Sequence, residues 1–336
     1  MALILAIESS CDETSVAIIK DGKLLSNAVS TQIEMHQKYG GVMPEIASRL
    51  HNENILFVLH EALLKAKVKL KDLDAVAVTR GPGLIGALHV GLQAAKTIAL
   101  LYNIPLIPVH HLAAHIYACE FVKAFKFPLL ALVVSGGNTE LVLLKKHLNF
   151  EIIGETKDDA IGECFDKVAR VLGLPYPGGI PIDNLAKKGK HTYKLPTPLN
   201  NKGYDFSYSG LKTSVINLVN KEKMLKHKVK VNDMCRSFED VAVDMVVNKT
   251  IKAAKEFNVN QIALAGGVSA NSYLRAEIVR KLKNSGIDII LPPIWCTTDN
   301  AAMIAKLAEH LYKIKLFAKL DLGVDPNWKI NNFKVF

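Results

Sequence analysis

Two stretches of this chain open in the same way. Residues 2–7 form an apolar run, the polar segment Glu8-Ser9-Ser10-Cys11-Asp12-Glu13-Thr14 follows, and a second apolar run occupies 15–20. The order returns at 129–134, Ser135-Gly136-Gly137-Asn138-Thr139-Glu140 and 141–144. Short continuous apolar runs bounded by turn residues read as buried strands, so each opening predicts strand, tight loop, strand. An opening that recurs at the head of each half points to a duplicated unit. In both copies the loop combines small and hydroxyl residues with an acid. Such a loop turns backbone N–H groups toward an anion and leaves room for phosphate.

The segments between and after these openings alternate in kind. Asp21-Gly22 turns the chain into a third strand at 24–29, a helical pattern covers 44–65, a strand 75–79, a helix starts near Leu84, and a strand spans 104–109. In the second half, an acidic stretch over 154–172 with Asp158, Asp159, Glu163 and Asp166 runs into a helix, and Pro175-Tyr176-Pro177-Gly178-Gly179-Ile180-Pro181 breaks the chain before a short helix bearing Asp183. A long helix over 231–257, strands at 261–265 and 287–291, and an amphipathic helix ending near 316 complete the pattern; the tail to 336 has no clear period. Strands alternating with helices predict an α/β protein whose mixed sheets are covered on both faces. At 336 residues and 49% hydrophobic side chains, the chain is long enough for two domains with cores of their own.

Composition narrows the partners. A formal net charge of +10 suits a polyanion such as nucleic acid, and the lysines concentrate in 187–230. The five cysteines never form a C-x-x-C pair, so neither a disulfide frame nor a zinc knuckle is indicated, and a reducing cytoplasmic setting fits. The start of the chain lacks a basic leader and a small-residue cleavage site. The uncharged run over 97–119 is interrupted by Asn103, Pro105, Pro108 and three histidines, which reads as buried helix, strand and helix rather than a membrane span.

Within that run lies His110-His111-Leu112-Ala113-Ala114-His115. Histidines at i and i+4 of a helix share one face and can grip one metal ion. A metallopeptidase would carry Glu beside the first ligand as general base; here that place holds Leu112. Asp299, a carboxylate at a helix start, is a candidate third ligand, and two His with one Asp and open positions suit iron(II) or zinc as a Lewis acid. Gly81-Pro82-Gly83-Leu84-Ile85-Gly86 has dinucleotide-fingerprint spacing, but no Asp or Glu follows before Cys119 to hold a ribose. No G-x-x-x-x-G-K-[ST] occurs. Nucleotide binding therefore falls to Ser9-Ser10, Ser135-Gly136-Gly137 and Gly266-Gly267, the last at a helix start.

A further set of motifs joins these. Ala6-Ile7-Glu8-Ser9-Ser10-Cys11-Asp12-Glu13-Thr14, Tyr39-Gly40-Gly41-Val42-Met43-Pro44-Glu45, Gly81-Pro82-Gly83-Leu84, His110-His111 with His115, Val134-Ser135-Gly136-Gly137-Asn138-Thr139, Phe165-Asp166-Lys167, Tyr176-Pro177-Gly178-Gly179, Phe206-Ser207-Tyr208-Ser209-Gly210-Leu211-Lys212-Thr213, Gly266-Gly267-Val268 with Ala270-Asn271, and Thr298-Asp299-Asn300-Ala301-Ala302-Met303 together resemble the TsaD (Gcp) family of bacterial tRNA threonylcarbamoyl transferases. The resemblance runs from the first strand to about residue 315.

The resemblance implies an actin, hexokinase and heat-shock type ATPase fold, with two ribonuclease-H-like lobes around a cleft. The lobes are expected at 1–125, with 312–336 returning to the first, and at 126–311, with a lysine-rich insertion over 187–230. The implied reaction moves the threonylcarbamoyl group from threonylcarbamoyl-AMP to N6 of adenosine 37 in tRNAs reading codons that begin with A. Family metal ligands carry onto His111, His115 and Asp299. Intermediate-binding positions carry onto Val133, Val134, Ser135, Gly136, Gly137, Asp166, Gly179, Asp183 and Asn271, with ATP or ADP as a further ligand. The partners implied are tRNA, a TsaB-type actin-fold homologue, a small TsaE-type P-loop ATPase and a TsaC-type synthase that supplies the adenylate, with no membrane.

An adenine amine is a weak nucleophile, so the acyl carbon has to be made electrophilic. Backbone N–H groups near Ser135–Gly137 are expected to hold the developing charge, Ser9 and Ser10 to face phosphate, and Asp12 or Glu13 to take the amine proton. Lys226, Lys228 and Lys230 are the expected tRNA contacts. The rival readings are a small-molecule kinase of the same fold, which needs ATP and no tRNA, and a noncatalytic ATP-dependent scaffold.

Overall fold

The computed structural model describes residues 2–198 and 203–333, which divide into two compact units. The first holds the described residues through Lys123 and from Pro293 onward; the second is Ala124–Pro292.

In the first unit, β1 (Leu3–Glu8), β2 (Glu13–Lys20) and β3 (Lys23–Thr31) form an antiparallel meander. The β2–β3 turn is made by Asp21 and Gly22 with φ of 49° and 78°. Positive φ at both central residues gives a tight turn whose twist matches the strands. Helices α1 (Ile33–Gln37) and α2 (Pro44–Ala66) follow, then β4 (Ala75–Gly81), α3 (Ile85–Tyr102), β5 (Leu106–His110) and α4 (His111–Ala118). β4 and β5 add in parallel, so the sheet order is β3-β2-β1-β4-β5. All six residues of β1 are buried, as a strand covered on both faces requires. By length and composition α3 could cross a membrane, but here it packs on β4 and α2.

The second unit repeats this plan. β6 (Leu129–Val134), β7 (Thr139–Leu144) and β8 (Phe150–Glu155) make the meander. They are followed by α5 (Ile161–Val171), α6 (Gly179–Ala186), α7 (Ser209–Met224), α8 (Val231–Glu256), β9 (Gln261–Ala265), α9 (Ser272–Leu282) and β10 (Asp288–Ile290). β9 and β10 pair in parallel, and the order β10-β9-β6-β7-β8 is that of the first sheet read from the other edge. The duplication anticipated from two openings thus extends to all five strands. Its core centres on Leu130, Leu132, Phe165, Phe238 and Leu264, all buried.

One expected boundary moves. The chain re-enters the first unit at Pro293, not near 312, so residues 293–311 belong there. The reason is α10 (Ala301–Lys313), whose apolar face packs on β1, β2 and α4. Strand and helix alternation locates a helix in the chain without saying which sheet it covers. The later tail follows β5 through a bridge between Leu106 and Ala318.

Candidate functional site

β5 runs into α4 without an intervening residue, because the His110 side chain caps the helix by accepting from the Ala113 N–H at 3.4 Å. Its Nε2 then donates to the Trp328 carbonyl at 2.9 Å. Burial is the largest cause lowering the His110 pKa, to about 3, which keeps this imidazole neutral. One residue on, His111 and His115 share a helix face with ring centroids 4.8 Å apart. Asp299 comes to them from the loop before α10, where Asn300 caps the helix by accepting from Ala302 N–H at 3.0 Å. Asp299 Oδ1 lies 3.0 Å from His115 Nε2 and 3.5 Å from His111 Nε2. The reassignment of α10 therefore places all three expected ligands in the first unit.

These residues fit a divalent ion. One ligand atom from each lies within 4.8 Å of the others. Two imidazole nitrogens and a carboxylate oxygen are the donor set of open metal sites that keep positions for substrate. The other ring nitrogen of His111 faces the Glu8 carboxylate at 3.2 Å and the Ser10 hydroxyl at 3.1 Å, so Nε2 is left to face Asp299. Burial disfavours charge on His111, but the Asp299 and Glu8 carboxylates outweigh it and push its pKa up to about 9. Burial likewise opposes ionisation of Asp299, yet His111 and then His115 bring it down to about 2. The site is thus built to hold positive charge. His115 Nδ1 is buried and has no hydrogen-bond partner among the described residues.

The first loop differs from expectation. Ser9 donates to the Ala87 carbonyl at 2.9 Å and accepts from the Gly91 N–H at 3.2 Å, which ties α3 to β1. Ser10 faces His111. Both hydroxyls are buried and engaged inside the unit, so they are not placed for the phosphate role expected of them. Glu13 is also buried, with Oε1 accepting from Thr31 Oγ1 at 2.9 Å. Burial, then the neighbouring Asp12, raises its pKa to about 8, so it carries a proton at neutral pH. Asp12 is half-buried; burial and the Asp299 charge raise its pKa as well.

The second unit gathers the other expected residues. Val133 and Val134 are fully buried strand residues, so their side chains belong to the core and only backbone is available to a ligand. Beyond them the loop turns through Ser135, whose backbone carbonyl accepts from the Gly162 N–H at 3.2 Å at the head of α5. A side chain at Gly136 or Gly137 would meet nothing within 4 Å, so this loop is open. Asp166 accepts from the Gly178 N–H at 2.6 Å and sets the start of α6, where Gly179 is likewise open. Asp183 accepts from Ser272 Oγ at 2.7 Å and Lys187 Nζ at 3.1 Å. Asn271 caps α9 through Leu274 N–H at 2.8 Å and donates Nδ2 to Glu239 at 2.7 Å. Lys226, Lys228 and Lys230 are exposed between α7 and α8.

Sequence reasoning passed over two carboxylates that touch these side chains, Glu8 and Glu239. Each left a signal. Glu8 closes an otherwise wholly apolar strand, and Glu239 sits on the helical stripe with Cys235, Phe238 and Ala242.

A family model described as TsaD, tRNA N6-adenosine threonylcarbamoyltransferase, matches residues 23–306. A relative of that name from Halalkalibacterium halodurans is 52% identical over 332 residues, covering 98% of this chain and 97% of its own length. Another, from Listeria welshimeri, is 54% identical over 328 residues, covering 96% and 95%. Among solved structures, HypF of T. kodakarensis superposes with a TM-score of 0.61 at 14% identity, over 94% of this chain and 48% of HypF, so the chain spans about half of that protein. Component A of the Acidaminococcus fermentans (R)-2-hydroxyglutaryl-CoA dehydratase gives 0.53 at 15% identity, over 91% and 96%. At such identities these structures speak to the fold alone, and it is the actin-like ATPase fold expected.

Proposed function

The chain belongs to the TsaD family of tRNA N6-adenosine threonylcarbamoyltransferases, and from that premise we propose how its residues serve the transfer. The reaction is acyl transfer to tRNA. A bond forms between N6 of adenosine 37 and the carbamoyl carbon, the bond from that carbon to the adenylate phosphate oxygen breaks, and AMP leaves while the amine gives up a proton.

His111, His115 and Asp299 hold one divalent ion, iron(II) or zinc. When bound, it supplies Lewis acidity and fixed positive charge toward an anionic acyl adenylate. Backbone N–H groups of the open Ser135–Gly137 loop bind negative charge on the donor, and the absence of side chains there lets the ligand reach the backbone. Asp183 and Asn271 orient ribose or threonyl hydroxyls, with Asp166 and Gly179 setting the start of α6. Asp12 takes the amine proton. Between the two acids of the first loop it is the more accessible, and Glu13 already carries a proton at neutral pH.

Lys226, Lys228 and Lys230 give the RNA phosphates a basic approach. With no Walker motif in the chain, ATP turnover is assigned to a TsaE-type partner working with a TsaB-type homologue, and the adenylate to a TsaC-type synthase. The setting is the cytoplasm, where tRNA is modified.

The observation that carries this reading is the meeting of His111, His115 and Asp299 in one unit of a chain from this family. Its test is incubation with threonylcarbamoyl-AMP and unmodified tRNA, followed by mass spectrometry of the nucleosides. The wild-type chain, with its partners supplied, forms N6-threonylcarbamoyladenosine. Asp12→Asn lowers the transfer rate about 100-fold, the scale of a lost general base, while adenylate binding holds. A full rate in that variant would remove Asp12 from the mechanism.

A further inference from the structure

Glu8 is wholly buried at the end of β1. β1 and β4 run parallel with Ile7 beside Val78, which brings the next residues, Glu8 and Thr79, side by side. The Thr79 hydroxyl donates to Glu8 Oε2 at 2.6 Å, and the Ser10 N–H donates to Oε1 at 2.6 Å. Each carboxylate oxygen thus has a short bond from the scaffold. Oε2 also faces His111 Nδ1 at 3.2 Å.

A carboxylate in an apolar strand end is costly to bury, and its location needs a reason. A ring nitrogen that donates to a fixed carboxylate keeps its proton on that side, which leaves the opposite nitrogen as a lone pair of set direction and raised basicity. We propose that Glu8, clamped by Thr79 and Ser10, is the positioning residue of the metal centre. It fixes His111 with Nδ1 protonated and Nε2 aimed at the position that His115 and Asp299 share. His115 has no such support, since its Nδ1 meets no partner among the described residues. The orientation of the pair therefore depends on the Glu8 side. This inference rests on the metal-centre reading above, and it predicts more than that reading does, because Glu8 itself contributes no ligand atom.

The test measures metal affinity rather than turnover. Zn2+ binding to the full chain is followed by competition with a chromophoric chelator, and Co2+ binding by its visible absorption. Glu8→Gln keeps the side-chain shape but replaces one clamped oxygen with an amide nitrogen. It weakens Zn2+ binding about 10- to 100-fold, the range for loss of such a partner, and alters the Co2+ spectrum. Thr79→Val, which removes only the clamp, weakens binding by a smaller factor and decides the matter should Glu8→Gln fail to fold. If thermal unfolding of the metal-free variants shifts while Zn2+ affinity and the Co2+ spectrum stay those of the wild type, Glu8 has a structural role only and the inference is overturned. A wild-type chain that takes up neither ion would remove the metal-centre reading itself, a result distinct from the first.

Discussion

The two units share a strand order and differ in what their loops are used for. After β4 the chain passes through Gly81-Pro82-Gly83, and this turn is packed shut. The tail holds it through Asp325 N–H to the Arg80 carbonyl at 2.9 Å and Gly83 N–H to the Pro326 carbonyl at 3.2 Å, and a side chain at Gly81 would overlap the Asp325 backbone. The topological counterpart after β9 is Gly266-Gly267. Gly266 presses on Val134, but a side chain at Gly267 would meet nothing within 4 Å. The first loops differ in the same sense, with Ser9 and Ser10 buried and Gly136 and Gly137 open. One copy of the plan has been closed to hold side chains in fixed places; the other keeps bare backbone that a ligand can approach.

The widest separation between the copies should come from adding one methyl group to each. Gly81→Ala forces the tail off β4, and overpacking of this severity costs about 3 kcal/mol, read as a lowered urea midpoint. Gly137→Ala falls in open space on backbone without positive φ, so its stability stays within about 0.5 kcal/mol. Its effect appears instead as weaker binding of the adenylate. Equal destabilisation of the two variants would erase the distinction between a closed and an open copy.

Buried acids sharpen the contrast. Glu8 lies under a cationic site, and although burial works against it, His111 holds its pKa below the usual range. Glu239 lies under the neutral amide of Asn271, and burial raises its pKa to about 7. In the unfolded chain Glu239 titrates near 4.5. Between these values the folded state binds more protons, so the contribution to stability is full below about pH 4.5 and is lost as pH rises through about 7. Glu239→Gln removes that loss. The variant gains about 3 kcal/mol on wild type between pH 4 and pH 8, measured from urea unfolding at both pH values. A parallel pH dependence in the two proteins would mean that Glu239 titrates alike in the folded and unfolded chain.

How legible this was depended on whether a feature leaves a local pattern. Apolar runs such as 129–134 announce strands because both faces are covered, and the His111 and His115 spacing announces a shared helix face. β8 leaves no such pattern because it is a half-exposed sheet edge, and Gly154 within it lies against the Tyr204 backbone, a contact from far along the chain. The tail has no period because backbone hydrogen bonds and Trp328, stacked by Arg80 and packed on His110, hold it rather than an apolar face of its own. Asp299 could be named as a ligand from its helix-start position and family resemblance. That it reaches the histidines within one unit follows from the packing of α10, which no local pattern records.

The comparison also bears on the RNA. Lys226, Lys228 and Lys230 put exposed charge on the second unit, while Lys313, Lys315 and Lys319 do the same at the end of α10 on the first. Phosphate contacts release counterions, and each contributes about 0.7 to 0.9 to the slope of log affinity against log salt. Reversing all three lysines of the α7–α8 loop to Glu should therefore weaken tRNA binding about 10-fold near physiological salt and flatten the slope by about 2, with adenylate binding unchanged. The same reversal at Lys313, Lys315 and Lys319 should leave the slope as it was. If the two outcomes are exchanged, the RNA approaches by the copy that carries His111, His115 and Asp299.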